Sequence, residues 1–160
     1  MARPKARNVA VFASALMLGG FTIGLGVASA SSSIAAPVTV KVIEHSLHDK
    51  VIDVGKPGDS TGDILTFHND LYDSSDTNKV GVDQGQCTRM NPKAGTWECW
   101  WSIVLEDGQV TAEGPYSDTA PTDLYAVTGG TGAYENVGGS VLEESGPGAS
   151  EYTLTYNLVP

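Results

Sequence analysis

The chain has 160 residues, 41% of them hydrophobic and 18% charged, with 19 glycines and 8 prolines; that is the length of one domain, with enough apolar material to close one core. Its 9 Lys and Arg stand against 19 Asp and Glu, a formal charge of −10, which repels phosphate backbones and sets nucleic acid aside as a partner. Beyond the first quarter of the chain, glycine and the β-formers outweigh Ala, Glu, Lys and Leu, so a helical bundle is disfavoured and a many-turned all-β domain is expected.

Arg3, Lys5 and Arg7 precede an uncharged run from Val9 to Ala30 that ends in Ala28-Ser29-Ala30. A basic start, an apolar middle and small residues before a cut predict a signal peptide over residues 1–30, cleaved near Ala30. The competing reading is an uncleaved anchor, because the run approaches the length of a bilayer span. Gly19, Gly20, Gly24 and Gly26 weaken it as a permanent helix, and nothing resembling a stop-transfer segment follows. There is no cysteine near the cut for lipidation and no adjacent arginine pair for the twin-arginine route. Cleavage removes three positive charges and no negative ones, leaving 130 residues of formal charge −13. The expected product is secreted, strongly acidic and without a stable membrane anchor.

Residues 31–37 read as a flexible Ser-rich lead, and 38–160 as one folded unit without internal repeats or a domain boundary. Val38 to Glu44 alternates with period two, the mark of a half-buried strand. The stretch through Gly55-Lys56-Pro57-Gly58 reads as loop. Strand-like runs follow at about 63–69, 80–90, 96–105, 108–114, 122–128, 137–144 and 151–159, separated by turn-forming clusters such as Asp73-Ser74-Ser75-Asp76, Asp107-Gly108 and Gly146-Pro147-Gly148. Gly129-Gly130-Thr131-Gly132 is expected to lie between strands as hairpin geometry rather than to cradle phosphate. In the last run Tyr152, Leu154, Tyr156 and Leu158 share one face. Eight short antiparallel strands can close as a barrel, which removes exposed edges; a two-sheet sandwich competes, and periodicity does not choose between them.

Between the two cysteines, Asn91-Pro92-Lys93-Ala94-Gly95 is a turn signal. A hairpin centred on Lys93 sets Cys87 directly opposite Cys99 on one face, within reach of a cross-strand disulfide, and export would supply the oxidising compartment. Such a staple contributes about 2–3 kcal/mol for so short a loop; the alternative is a free, functional thiol at Cys87. Phase also picks out polar groups on apolar faces. Glu44 is in phase with Val40 and Val42, Asn69 with Leu65 and Phe67, and Cys99 with Trp97, Trp101, Ile103 and Leu105. If those faces point inward, a carboxylate and an amide project into an aromatic interior, where burial raises a carboxyl pKa. The alternative places Glu44 at a strand end, reaching water.

His45, His48 and His68 do not read as a metal site, since His45 and His48 fall on opposite faces of a continuous strand. Asp70 to Asp76 lacks the glycine-punctuated spacing of a calcium loop and reads as a solvated turn. No Ser-His-Asp arrangement, phosphate-binding loop or nucleotide motif is present, so neither metal nor organic cofactor is expected.

The stretch Gly62-Asp63-Ile64-Leu65-Thr66-Phe67-His68-Asn69-Asp70-Leu71-Tyr72 resembles the signature region of allene oxide cyclases. So do Lys79-Val80-Gly81-Val82 running into Gly85-Gln86-Cys87, then Glu113-Gly114-Pro115-Tyr116, and Ala126 to Glu135 with Gly138-Gly139. The Gly-Gly-Thr-Gly piece is also similar to a region of plant dirigent proteins, which share the barrel. The likeness is colinear over roughly residues 38–145. It implies an eight-stranded antiparallel barrel with an apolar cavity, commonly a homotrimer, in which a cavity carboxylate stabilises positive charge as an unsaturated fatty-acid epoxide opens.

Carried onto this chain, the resemblance makes Glu44 the catalytic carboxylate and Asn69 the amide that holds a water. Cys87 and Phe67 become wall residues, and Ser46, Trp101 and Tyr116 join them around the substrate. Two departures bear on the chemistry. Ser46 stands where the family has a second asparagine, and the family position matching Cys99 is not a cysteine. Three functions follow: an isomerase or cyclase acting on a hydrophobic unsaturated small molecule, a dirigent-like or ligand-carrying barrel without chemistry of its own, or a secreted structural or interaction protein.

Overall fold

The computed structural model describes residues 36–146, 148 and 150–160; the expected signal peptide and most of the expected lead lie outside them. Nine strands follow in chain order: β1 Val38–His45, β2 Lys50–Ile52, β3 Ile64–Tyr72, β4 Lys79–Asn91, β5 Thr96–Leu105, β6 Gly108–Ser117, β7 Thr122–Gly132, β8 Gly138–Ser145 and β9 Glu151–Val159. The sheet runs β1-β9-β8-β7-β6-β5-β4-β3-β2, and β1 also pairs with β3. Eight strands therefore close into an antiparallel barrel, and the sandwich alternative is set aside.

The ninth strand, β2, falls where the sequence reads as loop. Its three residues pair with Ile64–Thr66, while the end of β1 pairs with Asp70–Tyr72. Both lie along the same edge of β3, so β2 resumes the ladder where β1 leaves it and satisfies backbone groups that would otherwise be open. Between them, residues 46–49 turn away from the middle of β3.

Gly129 to Gly132 also differ from expectation. They lie inside β7, paired with Gly108 to Thr111 across a register irregularity at Thr111/Ala112. A Cβ on Gly130 would collide with the Tyr134 carbonyl oxygen and stand 2.7 Å from that of Gln109. The glycine is there for close backbone approach; the reversal of chain direction comes later, in residues 133–137.

The Lys93-centred hairpin is present in the expected register. Cys87 opposes Cys99, and the two form a disulfide. Inward positions line up in rows across the strands. Leu65, Cys87, Cys99 and Gly114 make one, Phe67, Gly85, Trp101 and Ala112 the next, and Asn69, Asp83, Ile103 and Val110 the third. Gly85 lies close against the β5 backbone: a Cβ there would sit 2.8 Å from the Trp101 Cα. The indole donates to the Tyr156 hydroxyl at 2.9 Å and meets the Tyr125 ring edge-on at 4.6 Å between centroids. Val42, Leu71, Ile103, Val110, Val141, Tyr156 and Leu158 pack the apolar part of the interior.

Arg89, buried at the end of β4, fastens one end of the barrel. Its guanidinium donates to Asp59 at 2.7 Å and to Asp118 at 2.6 Å and lies 4.2 Å over the Trp97 ring. The Trp97 indole donates to Asp118 as well, at 2.8 Å. Asp63 accepts the backbone N–H groups of Val54 and Ser60 at 2.9 and 2.8 Å, so the segment after β2 is held by charge-assisted bonds.

Gly85→Ala is expected to lower the urea midpoint by an amount equal to about 1–3 kcal/mol, the range for overpacking a filled interior. Gly138→Ala, where nothing lies within 4 Å of the added carbon, should leave the midpoint within error.

Candidate active site

The barrel interior holds a cavity of about 80 Å³, partly open to solvent, with room for several waters or a flat molecule of one or two rings by the measure in which a water needs roughly 10–15 Å³. Its walls divide by chemistry. Glu44, Asp49, Asp83 and Glu143 supply four carboxyl groups; Phe67, Trp101, Tyr116, Tyr125 and Tyr152 supply rings; Leu65, Leu154 and the disulfide complete it. Each carboxyl comes from a different element: β1, the 46–49 turn, β4 and β8.

Asn69 arranges the first two. It is fully buried, midway along β3 in the gap between β1 and β2. Its Oδ1 accepts the backbone N–H groups of Leu47 and His48, both at 3.0 Å. Its Nδ2 donates to Glu44 Oε1 at 2.8 Å and to Asp49 Oδ1 at 2.7 Å. The carboxamide thus uses both lone pairs and both hydrogens inside the protein, and it acts as a clamp on two carboxyl groups rather than as a seat for water.

Glu44 is 8% exposed and faces the cavity between Tyr152 and Leu71, which rules out the reading in which it reaches water. Burial pushes its pKa well above the usual carboxylate value, Asp83 pushes it further, and the Asn69 hydrogen bond offsets part of this. Burial likewise raises Asp83 to about 7 and Glu143 to about 7. Glu143 accepts a hydrogen bond from the Tyr125 hydroxyl at 3.0 Å, whereas Asp83 Oδ1 is buried without a hydrogen-bond partner among the described residues. Among the described residues no lysine, arginine or histidine lines the cavity. Asp83 and Glu143, each near 7, and Glu44, raised by burial, lie among aromatic rings and can take up and return a proton or stand against developing positive charge.

Of the residues singled out from sequence, Glu44, Phe67, Cys87, Trp101 and Tyr116 line the cavity. Asn69 stands just behind it. Ser46 is outside the wall; its hydroxyl donates to Asp49 Oδ2 at 2.5 Å, so it reaches the cavity only through that carboxyl. Sequence reading missed Asp49, Asp83, Glu143, Tyr125 and Tyr152. Asp83 shares parity with Gly81, Gly85 and Cys87, an inward face without apolar alternation to reveal it. Glu143 shares parity with Val141, a usable signal that the neighbouring Glu144 obscures.

Away from the cavity, Asp73 accepts hydrogen bonds from Ser75, Thr77 and Asn78, forming the expected solvated turn. His45 Nε2 lies in hydrogen-bond contact with Asp76 Oδ1, the acceptor, at 2.8 Å, and the ring stacks on Tyr72. Glu151 lies near this pair, and the three present ligand-type atoms within 4.8 Å of one another outside the cavity wall.

The family model described as allene oxide cyclase matches residues 37–144. Among solved structures, a pyocyanin demethylase superposes with a TM-score of 0.67 at 28% identity, over 76% of this chain and all of that one. The exo-specific intermolecular Diels-Alderase AbnU gives 0.62 at 19% identity, over 78% of this chain and 98% of its own. The pterocarpan synthase dirigent protein GePTS1 gives 0.62 at 13%, over 77% and 83% respectively.

Two outcomes follow from the site geometry. In Asn69→Ala the Leu47 and His48 amides should lose hydrogen-exchange protection by at least about tenfold, in line with removal of a buried acceptor, while amides in β5 and β6 stay protected. The second concerns pH. Asp83 and Glu143 keep their protons to higher pH folded than unfolded, so folding takes up protons between about pH 4 and 7 and stability falls as pH rises through that window. Asp70, held low by Lys79, and Asp73, held low by Ser75, have the opposite sign and act at lower pH. Asp83→Asn should flatten the fall and raise stability at pH 7.5, measured by urea unfolding across pH 4.5 to 8.

Proposed function

The chain belongs to the allene oxide cyclase family, and on that premise we propose that it is an isomerase or cyclase acting on a hydrophobic unsaturated small molecule in the barrel cavity. The observation that carries this reading is the buried, cavity-facing Glu44 carboxyl, clamped by Asn69 and accompanied by Asp83 and Glu143.

When an unsaturated substrate rearranges, positive charge spreads along its conjugated carbons. In its ionised form, a Glu44 carboxylate held against that path stabilises the transition state more than the ground state, with little reorganisation of solvent. Phe67, Trp101 and Tyr116 give the substrate one folded conformation, which replaces a search by an oriented encounter. Asp83 and Glu143, each near 7, are suited to accept and return a proton at neutral pH. Asn69 and Ser46 are positioning residues: the first holds Glu44 and Asp49, the second holds Asp49. No covalent nucleophile is called for. That a Diels-Alderase and a demethylase share this barrel supports a fold able to host chemistry on small organic molecules.

We also propose that the chain is exported and that residues 1–30 are removed near Ala30. The Cys87–Cys99 disulfide supports an oxidising destination, and among the described residues no helix is long and apolar enough to cross a membrane.

The test separates catalysis from carriage. A panel of polyene epoxides and conjugated heterocycles is followed by absorbance and chiral chromatography, with wild type and Glu44→Gln side by side. Wild type should accelerate one substrate class with product selectivity above the spontaneous reaction. Glu44→Gln should lower that rate by about 100-fold or more while ligand affinity changes less than tenfold. Equal rates in the two proteins would overturn the catalytic reading and leave a ligand-binding barrel.

A further inference from the structure

The cavity's charge is lopsided in a way the proposed rearrangement does not require. One carboxylate suffices to oppose developing positive charge, yet four carboxyl groups from four elements converge, and no basic side chain among the described residues answers them. Arg89 is spent on Asp59 and Asp118, and Lys79 on Asp70. Neutral partners satisfy three of the four: the Asn69 amide donates to Glu44 and Asp49, and the Tyr125 hydroxyl donates to Glu143. The fourth is satisfied only in part: Asp83 is 2% exposed, lines the cavity and has a backbone hydrogen bond at Asn69, but its Oδ1 is buried with no hydrogen-bond partner among the described residues. Buried polar atoms are satisfied in folded proteins unless something else completes them.

The remaining wall consists of five aromatic rings with Leu65, Leu154 and the disulfide. Trp101, Phe67 and the tyrosines attract a cation through their quadrupoles, most strongly where water is excluded. A ligand carboxylate placed in this cavity would instead add a fifth acid among four.

We propose that the cavity selects a ligand carrying positive charge in its ground state, a cationic conjugated heteroaromatic, over neutral or anionic molecules of the same shape. This rests on the reading of the cavity as the active site and narrows its substrate class. The ligand's charge completes Asp83 while its ring stacks among the aromatic walls, and the fatty-acid epoxide implied by the sequence resemblance becomes a poor fit.

A linked consequence is proton release. The groups facing a bound cation are Glu44 on β1, Asp49 in the 46–49 turn, Asp83 on β4, Tyr116 on β6, Tyr125 on β7, Glu143 on β8 and Tyr152 on β9. The carboxyl groups among them that hold protons near neutrality give them up when a cation arrives, so cation affinity rises with pH.

The test is calorimetric titration of the full chain at 150 mM salt with three bicyclic probes of matched shape: N-methylquinolinium, 1-methylnaphthalene and 1-naphthoate, at pH 6 and pH 8. At pH 8 N-methylquinolinium should bind at least about tenfold more tightly than 1-methylnaphthalene, with 1-naphthoate weakest. Its affinity should fall at pH 6, and its binding enthalpy should vary with buffer ionisation heat as protons leave. Asp83→Asn and Glu143→Gln, both neutral isosteres, should each erase most of the preference while keeping 1-methylnaphthalene affinity. Equal binding of the cation and the hydrocarbon, no binding by any probe, or a cation preference untouched by both substitutions would each overturn the proposal. If the preference holds while Glu44→Gln leaves turnover unchanged, the selectivity stands and the catalytic reading fails. If neutral substrates turn over in a Glu44-dependent way without cation preference, the reverse is true.

Discussion

The carboxamide of Asn69 is the contact on which both the break between β1 and β2 and the placing of two cavity acids depend. Between the last β1 pairing at Asp70 and the first β2 pairing at Thr66, the β3 edge has no neighbouring strand. Residues 46–49 leave the ladder there, and two of their backbone N–H groups lose a strand partner. The Asn69 oxygen accepts both, and its nitrogen faces the other way onto Glu44 and Asp49. One planar group therefore converts a break in the sheet into a polar pocket. A carboxylate at this position could not donate to its neighbours, and an apolar residue would leave the turn's amides unsatisfied, so the amide is chemically specified.

The interior holds two environments that pull in opposite directions. One part is packed with aliphatic and aromatic side chains such as Ile103, Val110, Val141 and Tyr156, all of them buried. The other keeps a cavity ringed by acids. Concentrating acids in a low-dielectric interior destabilises their ionised forms, and the fold offsets that load elsewhere. The Cys87–Cys99 cross-link sits in the cavity wall itself, on the same two strands that carry Asp83 and Trp101. Arg89 with its two carboxylate partners fastens the segments around 59 and 118. Both restraints act on β4, the strand whose inward face carries Asp83.

The parts legible in the sequence are those written in alternation. The β1, β3, β5 and β9 faces put Glu44, Asn69, Cys99 and Leu154 inward as their phase requires, and the turn at Lys93 sets the cysteine register. Barrel closure was not written in any strand's periodicity. It rests on the short β1–β3 pairing, and a resemblance to known barrels supplied what alternation did not. Where glycines carry the inward phase, as in β4, the pattern goes silent, and Asp83 disappears with it. β2 is invisible because three exposed residues make too short a run to alternate. The glycines of β7 resemble a turn because close backbone approach and chain reversal call for the same residue; only Tyr134 and Gln109, across the gap, distinguish the two.

The same desolvation that makes the acids costly to the fold makes them useful to a reaction. A carboxyl that titrates near neutrality must be one the protein has kept from water, and such a group is unstable in its charged form until a positive partner arrives. The cavity is thus poised: without a cation, it favours protons on its buried acids; occupied by positive charge, whether brought by a ligand or generated along a reaction path, it favours their loss. Neutral clamps suit that alternation better than salt bridges would. An arginine beside Glu44 would fix it as an anion and cancel its field, whereas the Asn69 amide holds the group in place and leaves its charge free to change. The choice of an amide over a cation at that one position separates a carboxylate that merely stabilises a barrel from one that can act within it.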